Sequence, residues 1–221
     1  MIQIHELTKS YSRGEEAIVA CDVSALEISR GEQVALVGRS GCGKSTLLSM
    51  IAGLLPPDHG SLRVLDVELT ALGESARDRF RAEHIGMVFQ TFNLLQPFTA
   101  LENVMLGSVF GKGGGRGLRK RATELLRGVG LADRMHHRPN EMSVGQAQRV
   151  AICRALINDP SLILADEPLG NQDRETGREV LQLLLDMAKE HNRTVVMVTH
   201  SPENAGQLER IVELAELRRA S

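Results

Sequence analysis

Three stretches of this sequence carry side chains whose types and spacing suit chemistry on a phosphate. Gly38, Arg39, Ser40, Gly41, Cys42, Gly43, Lys44 and Ser45, followed by Thr46, fit the pattern G-x-x-x-x-G-K-[ST]. The run lies directly after the apolar segment QVALVG and directly before the helix-patterned STLLSMIAGLL. In that setting the glycines let the backbone curl so that successive N–H groups point at phosphate oxygens, and the helix N-terminus adds partial positive charge. Lys44 is expected to reach the β- and γ-phosphates and the Ser45 hydroxyl to ligate a metal. ATP and Mg²⁺ are the expected ligands of Gly38 to Thr46. For Cys42 two readings stand: a redox switch, or a small side chain at a position where only the backbone is used.

The second stretch, Leu162 to Glu167, ends an apolar strand in two acids, which are costly to place there without a use. Asp166 suits the Mg²⁺ shell, and Glu167 suits polarising a water in line with the γ-phosphorus. The competing reading is that Asp-Glu-Pro caps the following helix. In the third, His200 follows the strand-like VVMVT. It is expected to face the same crevice and contact the γ-phosphate, because open α/β sheets bind ligands at their carboxyl ends.

The elements that must carry these groups follow from periodicity. Short apolar or β-branched runs at Gln33 to Gly38, Leu162 to Asp166 and Val195 to Thr199 alternate with helix-patterned stretches, which predicts an α/β fold with a mainly parallel buried sheet. The first 30 residues read as alternating strands, Ile2 to Leu7 and Ala17 to Val23, forming an antiparallel sheet beside it. Roughly residues 91–160 read as an inserted helical subdomain, with helical spacing over Leu101 to Leu106, Leu118 to Val129 and Ala147 to Ile157. The glycine cluster Gly111 to Gly117 lacks a preceding strand and reads as a surface loop.

With 221 residues, 1–221 is expected to form a single domain. Its 26 basic and 28 acidic residues are interspersed and give a net charge of −2, so no nucleic acid partner is expected. The cysteines Cys21, Cys42 and Cys153 form no C-x-x-C pair, which argues against zinc and disulfides and for a reducing cytoplasm. The N-terminal segment has an acidic residue early and no long apolar core, so no signal peptide is expected. The longest apolar stretch, Leu47 to Leu55, is interrupted by Ser49 and Gly53, far short of the roughly 20 residues that span a bilayer.

Between the phosphate loop and the acid pair lies Asn140-Glu141-Met142-Ser143-Val144-Gly145-Gln146-Ala147-Gln148-Arg149. This resembles the signature sequence of ATP-binding-cassette (ABC) ATPases, a family with the P-loop NTPase core. Tyr11, Gln90, Asp173 and His200 stand in the family's order along nearly the whole chain. The resemblance implies that Tyr11 stacks on adenine. It implies that Gln90 coordinates Mg²⁺ and the attacking water while its loop meets a membrane subunit. It further implies that Ser143, Val144, Gly145 and Gln146 complete the ATP site of a second copy, with Asp173 bridging the two, so that the catalytic unit is a homodimer. Ser143 also suits an N-cap. Two residues depart from the commoner pattern: Val144, where glycine is usual, and Leu169, where a hydroxyl residue is common. A β-branched residue would be strained at positive φ, so ordinary backbone is expected at Val144.

The stretches Phe92 to Leu95, Thr99 to Val104 and Gly170 to Asp173 look most like the lipoprotein-releasing and macrolide-export group. That implies two transmembrane permease subunits docking near Gln90 to Asn103, on the apolar side chains Phe92, Leu94, Leu95 and Phe98, which are expected to be exposed. It also implies a peripheral location on the inner face of the cell membrane. An importer ATPase, or a non-transport member regulating cell-wall hydrolysis at division, would share the same catalytic residues.

Overall fold

The computed structural model describes residues 1–13, 16–111, 117–169 and 174–218. In chain order its elements begin with strands β1 (Ile2–Arg13), β2 (Glu16–Ile28) and β3 (Gln33–Val37), helix α1 (Lys44–Ile51), β4 (His59–Val64) and β5 (Val67–Glu68). Helix α2 (Glu74–His84), β6 (Ile85–Phe89), α3 (Ala100–Leu106), α4 (Leu118–Gly128) and α5 (Val144–Leu156) follow. The chain closes with β7 (Leu162–Asp166), α6 (Arg174–Glu190), β8 (Thr194–Thr199), α7 (Pro202–Ala205) and β9 (Arg210–Glu213). The described strands form two sheets: a parallel one in the order β6-β7-β8-β3-β9, and an antiparallel one in the order β2-β1-β4-β5.

Continuous apolar runs become the parallel strands because both of their faces are covered. Val34, Leu36, Leu162, Leu164, Val196 and Val198 point to one side, where they meet α1 and the β1–β2 sheet. The alternate residues Ala35, Ile163, Ala165, Val195 and Met197 point to the other, against α5 and α6. Period-two alternation in each strand thus feeds two separate cores. The antiparallel pair β1–β2 is longer than its apolar pattern implies, because the two strands carry on as a ribbon past the core, with Tyr11 paired to Ile18.

The helical stretch has a third core, in which Leu101 and Val104 of α3 and Ala122 and Leu126 of α4 meet Val150 and Cys153 of α5 and its C-cap Ile157. Helix α5 belongs to two cores at once, since Ile152 and Leu156 face the sheet while residues at 150, 153 and 157 face α3 and α4. Leu169 is buried in the sheet-side core. Among the described residues no helix is long and apolar enough to cross a membrane. Asp173, and Gly170 to Gln172 before it, lie outside the described residues, as does most of the glycine cluster.

Candidate functional site

Strands β6, β7, β8 and β3 end in a row. Parallel register sets Phe89 beside Asp166, Asp166 beside Val198, and Val37 beside Thr199. Gln90, Glu167, His200 and the loop that starts at Gly38 are the next residues out along that edge. They meet in an open cleft of about 480 Å³, lined by Gln90, Glu167 and His200 and by Ser40, Gly41 and Gly43 to Thr46 of the loop. Ile18, Val19 and Ala20 of β2 form the facing wall. Gly38, Arg39 and Cys42 are not on the lining. The carbonyls of Gly38 and Arg39 accept from Lys44 Nζ at 2.8 and 3.0 Å, and Cys42 packs against the core beneath.

Two features make the loop a cradle for an anion. Helix α1 starts at Lys44 with no side-chain cap on its first turn, so orphan N–H groups and the positive end of the helix dipole face the cleft. Its N-cap, Gly43, has φ 99°, and a Cβ there would lie 2.1 Å from the carbonyl oxygen of Ala20. Only glycine lets the loop settle onto β2. The buried Lys44 ammonium, held by two backbone carbonyls, has partners it would exchange for phosphate oxygens.

The residues also fit Mg²⁺. Ser45 Oγ donates to Asp166 Oδ1 at 3.0 Å, which brings two hard oxygen donors together, Ser45 on the cleft lining and Asp166 just off it. Burial pushes the Asp166 carboxyl above the usual carboxylate range, with the charge of Glu167 adding to the rise. The Ser45 hydrogen bond and the Lys44 charge pull the other way. A desolvated acid of this kind gains from a cation beside it.

Glu167 takes a left-handed backbone, φ 44°, while its N–H donates to Val198 O at 3.0 Å. Strain of this sort collects at functional positions, and here it follows directly from the change from strand to loop. Glu167 Oε1 lies 2.7 Å from His200 Nδ1, and Oε2 accepts from Thr199 Oγ1 at 3.3 Å. Thr199 Oγ1 in turn accepts from the N–H of Ser201 at 3.1 Å. The carboxylate is therefore aimed by a buried hydroxyl and an exposed imidazole. In the sequence the one signal for Thr199 is its place beside His200 at a strand end.

Tyr11 is half exposed and lies off the cleft lining, but its cross-strand partner Ile18 is on it, so the two share a face of the ribbon. Ser143, Val144, Gly145 and Gln146 are not brought to this cleft. They form the start of α5, where Ser143 is the N-cap and completes a capping box: Gln146 N–H donates to Ser143 Oγ at 3.3 Å and Ser143 N–H to Gln146 Oε1 at 3.0 Å. Val144 is the first helical residue and is absent from the positive-φ residues. Its backbone is ordinary and its side chain exposed, so Val144→Gly is expected to leave ATPase turnover within about twofold and to lower helix stability by up to about 1 kcal/mol. A large gain in turnover would show that glycine is needed there.

Of the apolar residues after Gln90, Leu95 and Phe98 are exposed, whereas Leu94 packs on the helical core. Close by is a groove of about 310 Å³ between α2, β6 and α5, lined by Leu54, Arg81, Phe89, Asn93, Gly107 and Arg154 among others.

The ABC transporter family model matches residues 21–170. Among curated proteins, the lipoprotein-releasing system ATP-binding protein LolD of Pseudomonas fluorescens is 43% identical over 216 residues, covering 98% of this chain and 95% of that protein. The macrolide export ATP-binding/permease protein MacB of Rhodopirellula baltica is 42% identical over 218 residues, covering 98% of this chain and 32% of that protein. Among solved structures, the dimeric post-hydrolysis state of the ATP-binding cassette MJ0796 bound to ADP and Pi superposes with a TM-score of 0.86 at 41% identity, covering 96% of this chain and 94% of that one.

Proposed function

This chain belongs to the ABC transporter ATPase family, and from that premise we propose that two copies close around ATP and drive a pair of membrane permeases. The observation that carries this is the convergence of Gln90, Asp166, Glu167, His200 and the Gly38 to Thr46 loop on one sheet edge. Residues 1–221 form a single nucleotide-binding domain whose helical subdomain spans roughly 91–160. Tyr11 stacks on the adenine beside Ile18. Lys44 and the first-turn N–H groups of α1 bind the phosphates, and Ser45, Asp166 and Gln90 hold Mg²⁺. When bound, the metal neutralises charge on the β- and γ-phosphate oxygens.

Glu167 orients the attacking water and accepts its proton, held by Thr199 and His200, and His200 contacts the γ-phosphate. Ser143, Val144, Gly145 and Gln146 of the second copy close the open cleft, with Asp173 at the contact between copies. Ser143 Oγ and the uncapped N–H groups beside it suit an anion. The permeases seat in the groove next to Asn93 and over Leu95 and Phe98, which holds the domain peripherally on the inner face of the membrane. The similarity to LolD and MacB supports a role of the lipoprotein-release or export type for the complex.

Glu167→Gln tests the cycle. With the general base removed, turnover is expected to fall about 100-fold or more, and ATP with Mg²⁺ should shift the variant from monomer to dimer on a sizing column. A parent protein that hydrolyses no ATP, together with a variant that stays monomeric in ATP, would overturn the reading.

A further inference from the structure

The segment after Gln90 departs from ordinary backbone at two successive residues. Phe92 and Asn93 have φ of 48° and 50°, a left-handed conformation that bulky residues seldom adopt. Such a turn lasts only where its surroundings over-determine it. Here a single side chain reaches both residues: Arg154 of α5 donates from Nη1 to Asn93 O at 2.6 Å and from Nη2 to Phe92 O at 2.5 Å. The planar fork of a guanidinium fits two adjacent carbonyls, and an ammonium reaches them only as a point charge. Burial pulls the arginine below its ordinary pKa, so the cation sits where charge is costly unless hydrogen bonds hold it.

The far end of the same segment is fixed separately. Asn103, fully buried, accepts from Leu95 N–H at 2.8 Å and donates to the carbonyls of Leu95, Phe98 and Thr99. Between Gln90 and Leu95 the fork of Arg154 joins the backbone to α5, the helix that Ser143 caps and that is packed into two cores. Arg154 and Asn93 also share the lining of the 310 Å³ groove.

We propose that Arg154 is a positioning residue for hydrolysis. It sets Gln90 by clamping the Phe92–Asn93 turn, and it makes that setting depend on the placement of α5 and on what fills the groove. This rests on the ATPase reading above. The arginine itself lies off the nucleotide cleft, so its effect should fall on turnover and not on ground-state binding.

The test compares the full chain with Arg154→Ala and Arg154→Lys, measuring steady-state ATPase, ADP affinity and amide hydrogen exchange. In Arg154→Ala turnover is expected to fall about 10- to 100-fold, while ADP affinity stays within about twofold because the loop that binds it is untouched. Amides of residues 91–94 should exchange faster while those of Leu95, β3, β7 and β8 keep their protection. Arg154→Lys, which keeps the charge, should fold like the parent and fall between the two in both turnover and exchange. Parent-like turnover and exchange in both variants would overturn the proposal. So would ADP affinity and strand protection falling together with turnover, since the residue would then only support the fold. If the parent hydrolyses no ATP, the ATPase reading fails instead, and exchange at 91–94 still decides whether Arg154 clamps the turn.

Discussion

Replacing Gly43 with alanine is expected to abolish measurable ATP binding and to lower folding stability by about 2–5 kcal/mol. Two causes add. At φ 99° an L side chain is strained by about 1–2 kcal/mol. The new methyl would also lie 2.1 Å from the Ala20 carbonyl oxygen and 3.2 Å from the Cys21 Cα, and backbone cannot rotate aside as a side chain can. The loop would have to lift from β2, taking the start of α1 and the Lys44 ammonium with it. Gly41→Ala supplies the contrast, because Gly41 also has positive φ, 77°, but nothing lies within 4 Å of its Cβ position. It should show the strain cost alone, about 1–2 kcal/mol, and keep weakened binding. Titration with a fluorescent ATP analogue and urea unfolding of the three proteins check this. Parent-like affinity in Gly43→Ala would show that the loop is not the phosphate cradle.

That loop was readable in the sequence because its chemistry depends on contiguous backbone: the residues that curl around a phosphate are neighbours in the chain. The parallel strands were readable for a related reason, since burial on both faces turns β3, β7 and β8 into unbroken apolar runs. Strand β4 leaves little trace in the sequence, because only Leu62 and Val64 of its residues are buried. Helix α2 leaves as little, because it buries Phe80 alone and shows no apolar stripe. The site divides in the same way. Asp166, Glu167 and His200 advertise themselves at the ends of apolar strands, whereas Thr199 reads as one more β-branched strand residue until its hydroxyl is seen on Glu167. Arg154 reads as an ordinary arginine in an amphipathic helix, and its partners Phe92 and Asn93 lie 62 and 61 residues away. Contacts of that range are set by how α5 packs, which no local pattern encodes. Ser143 makes the opposite case: local sequence predicts its cap on α5, while what the cap faces is not a local property.

Asp166→Asn is expected to lower hydrolysis at least about 100-fold and at the same time to raise the melting temperature of the nucleotide-free protein at neutral pH. The parent carboxyl is raised in pKa chiefly by burial, with Glu167 adding to it, so ionisation is harder in the folded protein than in the unfolded chain. The sign follows from proton binding. Below about pH 3.9, the ordinary value for aspartate, both states are protonated and the acid carries no penalty. As pH rises from there toward the folded pKa, the native state holds more protons than the unfolded one, so parent stability falls until the folded group has also ionised. Asparagine cannot ionise, and its amide oxygen still accepts from Ser45. The variant's melting advantage should therefore be small near pH 4 and larger near pH 7, as scanning calorimetry across that range would record. ATP with Mg²⁺ should reverse the order, since a cation beside the carboxylate converts the penalty into a binding contribution that asparagine cannot match. A variant that melts below the parent at neutral pH without nucleotide would mean that the Ser45 bond and the Lys44 charge outweigh burial. Asp166 would then be an ordinary structural acid, and the fit to Mg²⁺ would lose its main support.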